Sequence, residues 1–341
     1  MKSVAALLLL AILVAPARAA APLPPGVAWH TGDVDAAFAR ARQERKPLFL
    51  YWGAVWCPPC NQVKATVFSR QDFIERARLF VPVYIDGDAP GAQALGSRFK
   101  VGAYPTMVLF AADGTEITRL PGEVDGASYM DVLARGAARG RPVRDLLAAA
   151  RAGKPLAAED WRLLAFYSWE TDSQAVLGPG ERVPTLWQLA LASTSVAPEA
   201  SARLALKAMS AAARAPKDAQ ALDRAAALKR LRATLASPSI ARANFAELAY
   251  AAGRLPAFLT EAGTPQREQL LREWDRAMLR LAADGSLSRL DRVAATDARV
   301  SLARVETPAG ALPLPLQTEV RAVTHRMLRE STDRYEREAL V

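Results

Sequence analysis

In the first third of the chain, segments with apolar residues at helical spacing alternate with short continuous apolar runs. Between residues 33 and 45 the apolar residues Val34, Phe38 and Ala41 recur at helical spacing, which predicts an amphipathic helix. Residues 48–52 form an uninterrupted apolar run rich in aromatic side chains, which fits a buried strand. By the same criteria we predict helices over 60–68, 73–77, 93–99 and 129–137, and strands over 81–85, 106–110 and 116–120.

The order of these elements indicates the fold class. Strands separated by helices, with the last two joined by a turn at Asp113 and Gly114, predict a mixed sheet covered by helices on both faces. We place this α/β domain at residues 31–150. Because its predicted core lies within that range, we expect residues 20–150 to fold and act alone.

Residues 156–341 are predicted to be all-helical and to form a separate domain whose role the sequence does not indicate. Alanine, leucine and arginine dominate, and no convincing strand pattern remains. Leu270, Trp274 and Met278 follow each other at intervals of four, which predicts one apolar face of a helix. We interpret such stripes as packed core rather than as ligand sites.

Helix boundaries in this region are marked by capping residues and prolines. Thr264 before Pro265, and Ser288 three residues before Asp291, are typical of helix starts. Prolines divide the region into predicted helices of ten to twenty residues, at Pro184, Pro198, Pro216, Pro238, Pro256, Pro265, Pro308 and Pro313. Stacked helix pairs, as in a solenoid, would fit this pattern, although no residue signature repeats at a fixed period.

The N-terminus has the features of a secretory signal peptide. Lys2 precedes an apolar run over residues 4–14, and Ala17–Ala19 has the small residues of a cleavage site. The run is shorter than the about 20 residues that a bilayer span needs, so we expect no transmembrane segment in the mature chain. We therefore predict a signal peptide at 1–19, a proline-rich tether at 20–30, and a periplasmic location.

Composition and charge exclude several functions. The chain has 51% hydrophobic and 23% charged residues, which excludes wholesale disorder. Its net charge of +9 is spread among alternating acids and bases, which argues against a nucleic-acid interface. His30 and His325 lie far apart in sequence and leave little for a zinc site or a serine triad. We predict no metal site and no cofactor.

Both cysteines of the chain fall in one Cys-Pro-Pro-Cys motif, Cys57 and Cys60. A disulfide between them would close too short a loop to stabilise the fold much by reducing chain entropy. An exported chain meets an oxidising compartment, where such a pair forms and exchanges disulfides. The motif therefore indicates redox chemistry rather than a structural crosslink.

The segment Trp56–Cys60, between a buried strand and a helix, is followed about 45 residues later by Tyr104–Thr106 at the start of another strand. This combination resembles the thioredoxin superfamily over roughly residues 30–138. The resemblance implies a thioredoxin fold, a redox-active Cys57–Cys60 disulfide and a cis peptide bond before Pro105.

Within that superfamily the chain looks most like exported thioredoxin-like oxidoreductases related to the C-terminal domain of DsbD. Val67, Phe68 and Ser69 after the motif helix match those domains, and Gly114 and Gly122 match glycines of the superfamily. The helical remainder has no counterpart in this resemblance.

The motif itself predicts different roles for the two cysteines. If Cys57 is the N-cap and Pro58 the first helical residue, the helix dipole lowers the pKa of the Cys57 thiol and makes it the nucleophile. Cys60 lies inside the first turn and would be the resolving thiol. The residues expected to form the substrate-binding rim are Trp56, Tyr104, Pro105 and Thr106.

Four residues are expected to tune the cysteine pair. Tyr51 stands where thioredoxins carry a buried proton-accepting aspartate, and Pro82 replaces the lysine that accompanies it. Lys64, one turn after Cys60, either adds positive potential near the thiolates or is a solvated surface lysine. Pro58 and Pro59 are expected to occupy the first helical turn. The residues expected to tune the redox properties of the cysteine pair are therefore Pro58, Pro59, Lys64 and Tyr51.

The leading hypothesis is an exported protein-disulfide oxidoreductase that acts mainly as a reductase. Its partners would be protein disulfide substrates and, as electron donor, a membrane thiol reductase. An alternative is a Cu(I) carrier or metal-site assembly protein using both thiolates, for which Met107 is the only additional soft ligand nearby. A third possibility is a helical scaffold with a vestigial redox domain, against which the intact cysteine pair argues.

Overall fold

The computed structural model describes residues 23–122, 126–138, 140–215, 222–306, 310–331 and 337. The predicted signal peptide at 1–19 lies outside these residues, as do Pro216 and Pro308.

A four-stranded mixed sheet forms the centre of the first part, in the order β2-β1-β3-β4. Strand β1 pairs in parallel with β2, and β3 runs antiparallel to both β1 and β4. Every residue of β1 is buried because elements cover both faces of the sheet. The strands are β1 (Leu48–Gly53), β2 (Val81–Asp86), β3 (Thr106–Phe110) and β4 (Glu116–Leu120).

Five helices accompany the sheet among the described residues, and the predicted α/β class is confirmed. They are α1 (Val34–Glu44), α2 (Pro58–Val63), α3 (Gln71–Arg76), α4 (Ala92–Arg98) and α5 (Gly126–Ala137). The helix predicted over 60–68 is not uniform, because α2 passes at Lys64–Phe68 into one wider π-helical turn. This turn directs Lys64, Val67 and Phe68 inward.

Residues 23–30, predicted to be part of a tether, pack on the sheet. The Trp29 ring lies 5.2 Å from that of Phe68 and 6.3 Å from that of Phe49, measured between centroids. His30 bridges to Val83 of β2 in parallel fashion. The described part of this segment therefore belongs to the packed structure.

The second part is helical throughout its described residues. Its helices are α6 (Val143–Arg151), α7 (Ala158–Ala165), α8 (Trp169–Asp172), α9 (Arg182–Ala192), α10 (Pro198–Arg214), α11 (Arg224–Ala236), α12 (Pro238–Ala243), α13 (Phe245–Ala251), α14 (Leu255–Leu259), α15 (Pro265–Ala283), α16 (Arg289–Ala303) and α17 (Leu314–Glu330). Thr264 and Ser288 cap α15 and α16 as predicted. The predicted length of ten to twenty residues is wrong for α7, α8, α12, α13 and α14. Asn244 separates α12 from α13, and the turn at Gly253 precedes α14.

Helix α10 lies at the centre of the helices α7 to α14. It contacts α7, α8 and α9 on one side and α11 to α14 on the other. Its residues are mostly alanine and serine, which let neighbouring helices approach closely, and nearly all of them are buried. This arrangement around one helix differs from the stacked pairs of a solenoid, in which each unit contacts only its neighbours.

One hydrophobic core continues from the sheet into the helical part. It includes Phe49 and Tyr51 of β1, Leu146 of α6, Trp161 of α7 and Trp274 of α15. A second, smaller cluster lies on the opposite face of the sheet beneath α1 and α4. The predicted boundary between residues 150 and 156 is therefore crossed by continuous apolar packing.

No helix within the described ranges is both long enough and apolar enough to span a bilayer.

Candidate active site

Cys57 is the N-cap of α2, as predicted. Its Sγ accepts a hydrogen bond from the Cys60 backbone N–H at 3.2 Å. Pro58 and Pro59 occupy the first two helical positions, where a backbone N–H would have no partner within the helix. Cys57 and Cys60 form a disulfide with their Cα atoms 5.2 Å apart. The pair therefore lies where the buried strand β1 gives way to a helix.

The two cysteines differ in accessibility in the order expected for a nucleophile and a resolving thiol. Cys57 retains 3% exposure and Cys60 none. The neighbouring side chains of Pro58 and Pro59 are exposed. A partner therefore reaches the pair from the side of Cys57.

Tyr51 lies beneath the cysteine pair and is fully buried. Its hydroxyl donates to the Cys60 carbonyl oxygen at 3.4 Å, and its ring packs 4.8 Å from that of Phe68 and 5.4 Å from that of Tyr84. Burial, together with the nearby Tyr84, raises the pKa of Tyr51 far above its usual value. The phenol stays protonated near neutral pH, so it is a donor here and does not replace a proton-accepting carboxylate.

The peptide bond between Tyr104 and Pro105 is cis, which confirms the prediction from the sequence. Pro105 is buried, and the Thr106 hydroxyl donates to the Ala103 carbonyl at 2.8 Å. A Cβ at Gly122 would stand only 3.0 Å from Cγ of Pro105. Gly122 therefore leaves room for the proline ring.

A groove of about 610 Å³ runs between the cysteine motif and the loop before Pro105. Its walls are polar and apolar in about equal parts, with Gln93, Ser97 and Lys100 among the polar residues. They include Trp52, Trp56, Cys57, Pro58, Gly102 and Tyr104. Such a groove suits a short extended peptide bearing a disulfide.

Trp56 forms the exposed edge of this groove, with 64% of its surface accessible. Its ring meets that of Tyr104 edge to face at 5.9 Å, and its Nε1 donates to the Asp88 carboxylate at 2.7 Å. The Tyr104 hydroxyl donates to the Gly87 carbonyl at 3.3 Å. Of the four predicted rim residues, Trp56 and Tyr104 contact each other and line the groove, whereas Pro105 and Thr106 are buried and do not line it.

Two further residues of the groove were not singled out from the sequence. Trp52, the last aromatic residue of the β1 run, lines the groove with a buried Nε1 that has no hydrogen-bond partner. Asp88, in the loop after β2, orients Trp56. The position of Trp52 at the end of a buried strand was a usable signal, whereas the Asp88 contact depends on tertiary structure.

Lys64 is buried rather than a solvated surface residue. The π-helical turn points its side chain inward, with Nζ 3.5 Å from Oδ1 of Asn61. Burial lowers the pKa of Lys64, and the negative charge of Asp86 opposes that shift. The second of the two sequence interpretations of Lys64 is therefore wrong.

Within the described part of the chain, no three His, Cys, Asp or Glu side chains are grouped so that they could hold a metal ion.

Residues 34–137 match the family model of the thioredoxin-like domain. A curated relative, the thiol:disulfide interchange protein DsbD 1 of Pseudomonas aeruginosa, is 34% identical over 134 residues. That match covers 36% of this chain and 22% of the relative. The chain thus corresponds to about a fifth of that protein.

Two solved structures each match about a third of this chain. The DsbH oxidoreductase is 20% identical with a TM-score of 0.30, and the match covers 34% of this chain and 88% of that one. A thioredoxin from Thermus thermophilus is 24% identical with a TM-score of 0.29, and the match covers 31% of this chain and 85% of that one. From the family match, residues 34–137 of this chain are a thioredoxin-like domain that carries the Cys57–Cys60 disulfide, is similar in sequence to DsbD 1 of Pseudomonas aeruginosa and is followed by a helical region.

Proposed function

We propose that this chain is an exported thiol:disulfide oxidoreductase that acts mainly as a reductase of protein disulfides. The observation that carries the proposal is the Cys57–Cys60 pair at the start of α2, open to the groove in front of cis-Pro105. The Pseudomonas relative is named as a thiol:disulfide interchange protein, which supports the same chemistry.

The reaction requires two successive thiol–disulfide exchanges. In the reduced protein the Cys57 thiolate attacks one sulfur of a substrate disulfide, forms a mixed disulfide and releases the other substrate sulfur as a thiolate. The Cys60 thiolate then attacks Sγ of Cys57 and releases the second substrate thiol. Two electrons pass to the substrate, and the domain is left as the Cys57–Cys60 disulfide of this structure.

A reductant must restore the dithiol after each turnover. We propose a membrane thiol reductase as that donor, because the predicted signal peptide would deliver the chain to an oxidising compartment. Trp56, Tyr104, Pro105 and Thr106 would hold the substrate segment. The position of Trp56 and Tyr104 in the groove beside Cys57 supports this role.

Reduction of insulin tests the proposal. The full chain with a thiol donor should cleave the insulin disulfides, and Cys57→Ser should abolish turnover because the attacking sulfur is lost. Asp275→Asn, in the helical part, is the matched control and should keep wild-type activity. No activity of the wild-type protein on insulin or on other protein disulfides would contradict the proposal. Equimolar tight Cu(I) binding without disulfide reduction would support the copper carrier instead.

A further inference from the structure

Arg119 of β4 is a buried arginine that holds the loop leading to the active site. It is only 2% exposed. Its guanidinium donates to the carbonyl oxygens of Phe99 at 2.7 Å and Lys100 at 3.1 Å. These two residues begin the segment that ends at cis-Pro105 and forms one wall of the groove. Arg119 therefore fixes the start of this wall from behind.

The buried partner of Arg119 comes from the helical part. Asp172 of α8 accepts from the Arg119 guanidinium at 2.8 Å and is only 1% exposed. Glu116 also pairs with Arg119, but its side chain is 35% exposed. In addition, the Ser168 N–H donates to the Arg119 carbonyl at 3.0 Å. Because a buried guanidinium needs compensating charge, Asp172 stabilises Arg119 in this position as the fully buried one of its two carboxylate partners.

Helix α8 is itself anchored to the central helix α10. Both carboxylate oxygens of Glu170 accept from Lys207 Nζ, at 2.9 and 2.8 Å. The Tyr167 hydroxyl donates to the Asp172 carbonyl at 3.0 Å. The four residues of α8 thus connect α10 on one side with Arg119 on the other.

The turn after α8 also touches the groove wall directly. A Cβ at Gly102 would stand 2.8 Å from Nε2 of Gln174 and 3.5 Å from the Thr171 carbonyl oxygen. Gly102 lines the same groove as Cys57. The helical part therefore lies immediately behind the surface that a substrate peptide would meet.

We infer that α8 and the following turn position the 99–105 loop for protein substrates, with Asp172 and Arg119 as positioning residues and Gln174 as a backing contact. This inference rests on the proposed function. A substrate peptide has to lie against the loop, and a loop that is already fixed costs less conformational entropy on binding. Small disulfides need only the Cys57–Cys60 pair and should not depend on the loop. The helical region would thereby set the affinity for proteins.

Asp172→Asn tests this inference in the full chain. The variant removes the buried negative charge with little change in shape. We expect KM for insulin to rise about tenfold with kcat nearly constant, which is the signature of lost binding rather than lost chemistry. The reaction of the reduced protein with a small aromatic disulfide should keep its rate. Amide hydrogen exchange over residues 99–106 should become faster. Asp275→Asn, which weakens the Arg299–Asp275 pair between α15 and α16, is the control and should change none of these.

Gln174→Ala gives a second test that does not depend on a buried charge. It removes the side chain that donates to the Thr171 carbonyl at 2.9 Å and whose Nε2 would lie 2.8 Å from a Cβ at Gly102. We expect a higher KM for insulin and faster amide exchange over residues 99–106, with kcat and the rate on the small disulfide unchanged.

The outcomes separate the two proposals. If folded Asp172→Asn and Gln174→Ala variants keep the wild-type KM and the wild-type exchange over 99–106, the positioning role is wrong. If Asp172→Asn does not fold, Gln174→Ala decides. If the wild-type protein reduces no disulfide, the proposed function fails, while hydrogen exchange still tests whether α8 holds the loop.

Discussion

The backbone N–H of Cys60 donates to Sγ of Cys57 over 3.2 Å. In an N-capped helix the capping atom can accept from the N–H groups at the second and third helical positions. Here the second position is Pro59, which has no N–H, so the first turn offers Cys57 a single donor. A thiolate with one donor fewer is less stabilised, which makes the reduced form less stable and the pair more reducing.

Replacing Pro59 with histidine should make the pair more oxidising. The substitution supplies an N–H at the second helical position, which would lower the pKa of Cys57. We expect the reduction potential to rise by tens of millivolts, where about 30 mV corresponds to about 1.4 kcal/mol. Equilibration with glutathione measures it. Pro58→His is the matched control, because an N–H at the first position does not reach the cap. A wild-type reduction potential close to that of DsbA, about −120 mV, would contradict the proposal that the protein acts as a reductase.

Cys60→Ser should trap substrates as mixed disulfides on Cys57. Without the resolving thiol, the first covalent intermediate has no intramolecular route to product. Non-reducing electrophoresis followed by mass spectrometry would identify both the partner and the attached cysteine. Cys57→Ser should trap far less, since Cys60 is completely buried. The opposite result would reverse the roles assigned to the two cysteines.

Tyr51→Phe should leave the pH dependence of disulfide reduction unchanged. The Tyr51 hydroxyl donates to the Cys60 carbonyl and stays protonated, so it does not take up the proton of the resolving thiol. We expect a loss of about 1 kcal/mol in the free energy of unfolding, the usual value for one hydrogen bond. A displaced pH–rate profile of the variant would show that the phenol does take part in proton transfer.

Buried tyrosines should make the protein lose stability in alkali. Burial raises the pKa of Tyr84 to about 12 and that of Tyr51 still further, whereas an unfolded tyrosine ionises near ~10. The folded state therefore binds more protons than the unfolded state above pH ~10, so the free energy of unfolding falls as the pH rises. Urea unfolding between pH ~9 and ~11.5 measures this slope. Tyr51→Phe should reduce it, and the same substitution at exposed Tyr250 should not.

The isolated fragment 20–154 should be less stable than the full chain, although its cysteine pair is intact. Truncation removes Asp172, one of the two carboxylates paired with Arg119, and uncovers residues such as Leu146 that belong to the core shared with the helical part. Urea unfolding followed by fluorescence compares the two proteins, and we expect a lower free energy of unfolding for the fragment. Equal stability of fragment and full chain would show that the domain does not need the helical part.

Local patterns were sufficient to predict the redox domain from the sequence. The apolar run of β1, the N-capping Cys57 and the proline at position 105 each have a short-range signature, and each lies where it was expected. Gly122 was identified only by resemblance, and the structure supplies its physical reason in the nearby Pro105 ring.

Contacts between distant segments could not be predicted in the same way. Arg119 sits in a strand pattern that gives no sign of burial, and its partner Asp172 lies 53 residues later. Lys64 could be buried or exposed at the sequence level, because the π-helical turn that directs it inward has no established sequence signature. Both depend on charge pairing and packing that only the folded chain defines.

Because the core is continuous, the redox state of the cysteine pair should affect the unfolding temperature of the whole chain. Phe49 of β1 and Trp274 of α15 belong to one hydrophobic cluster, so the two parts should melt in a single cooperative transition. Closing or opening the Cys57–Cys60 bond changes the stability of the folded state and therefore the temperature of that shared transition. Unfolding of helices far from the redox domain, such as α15, would then belong to a thermodynamic cycle that links electron transfer to unfolding of the whole chain.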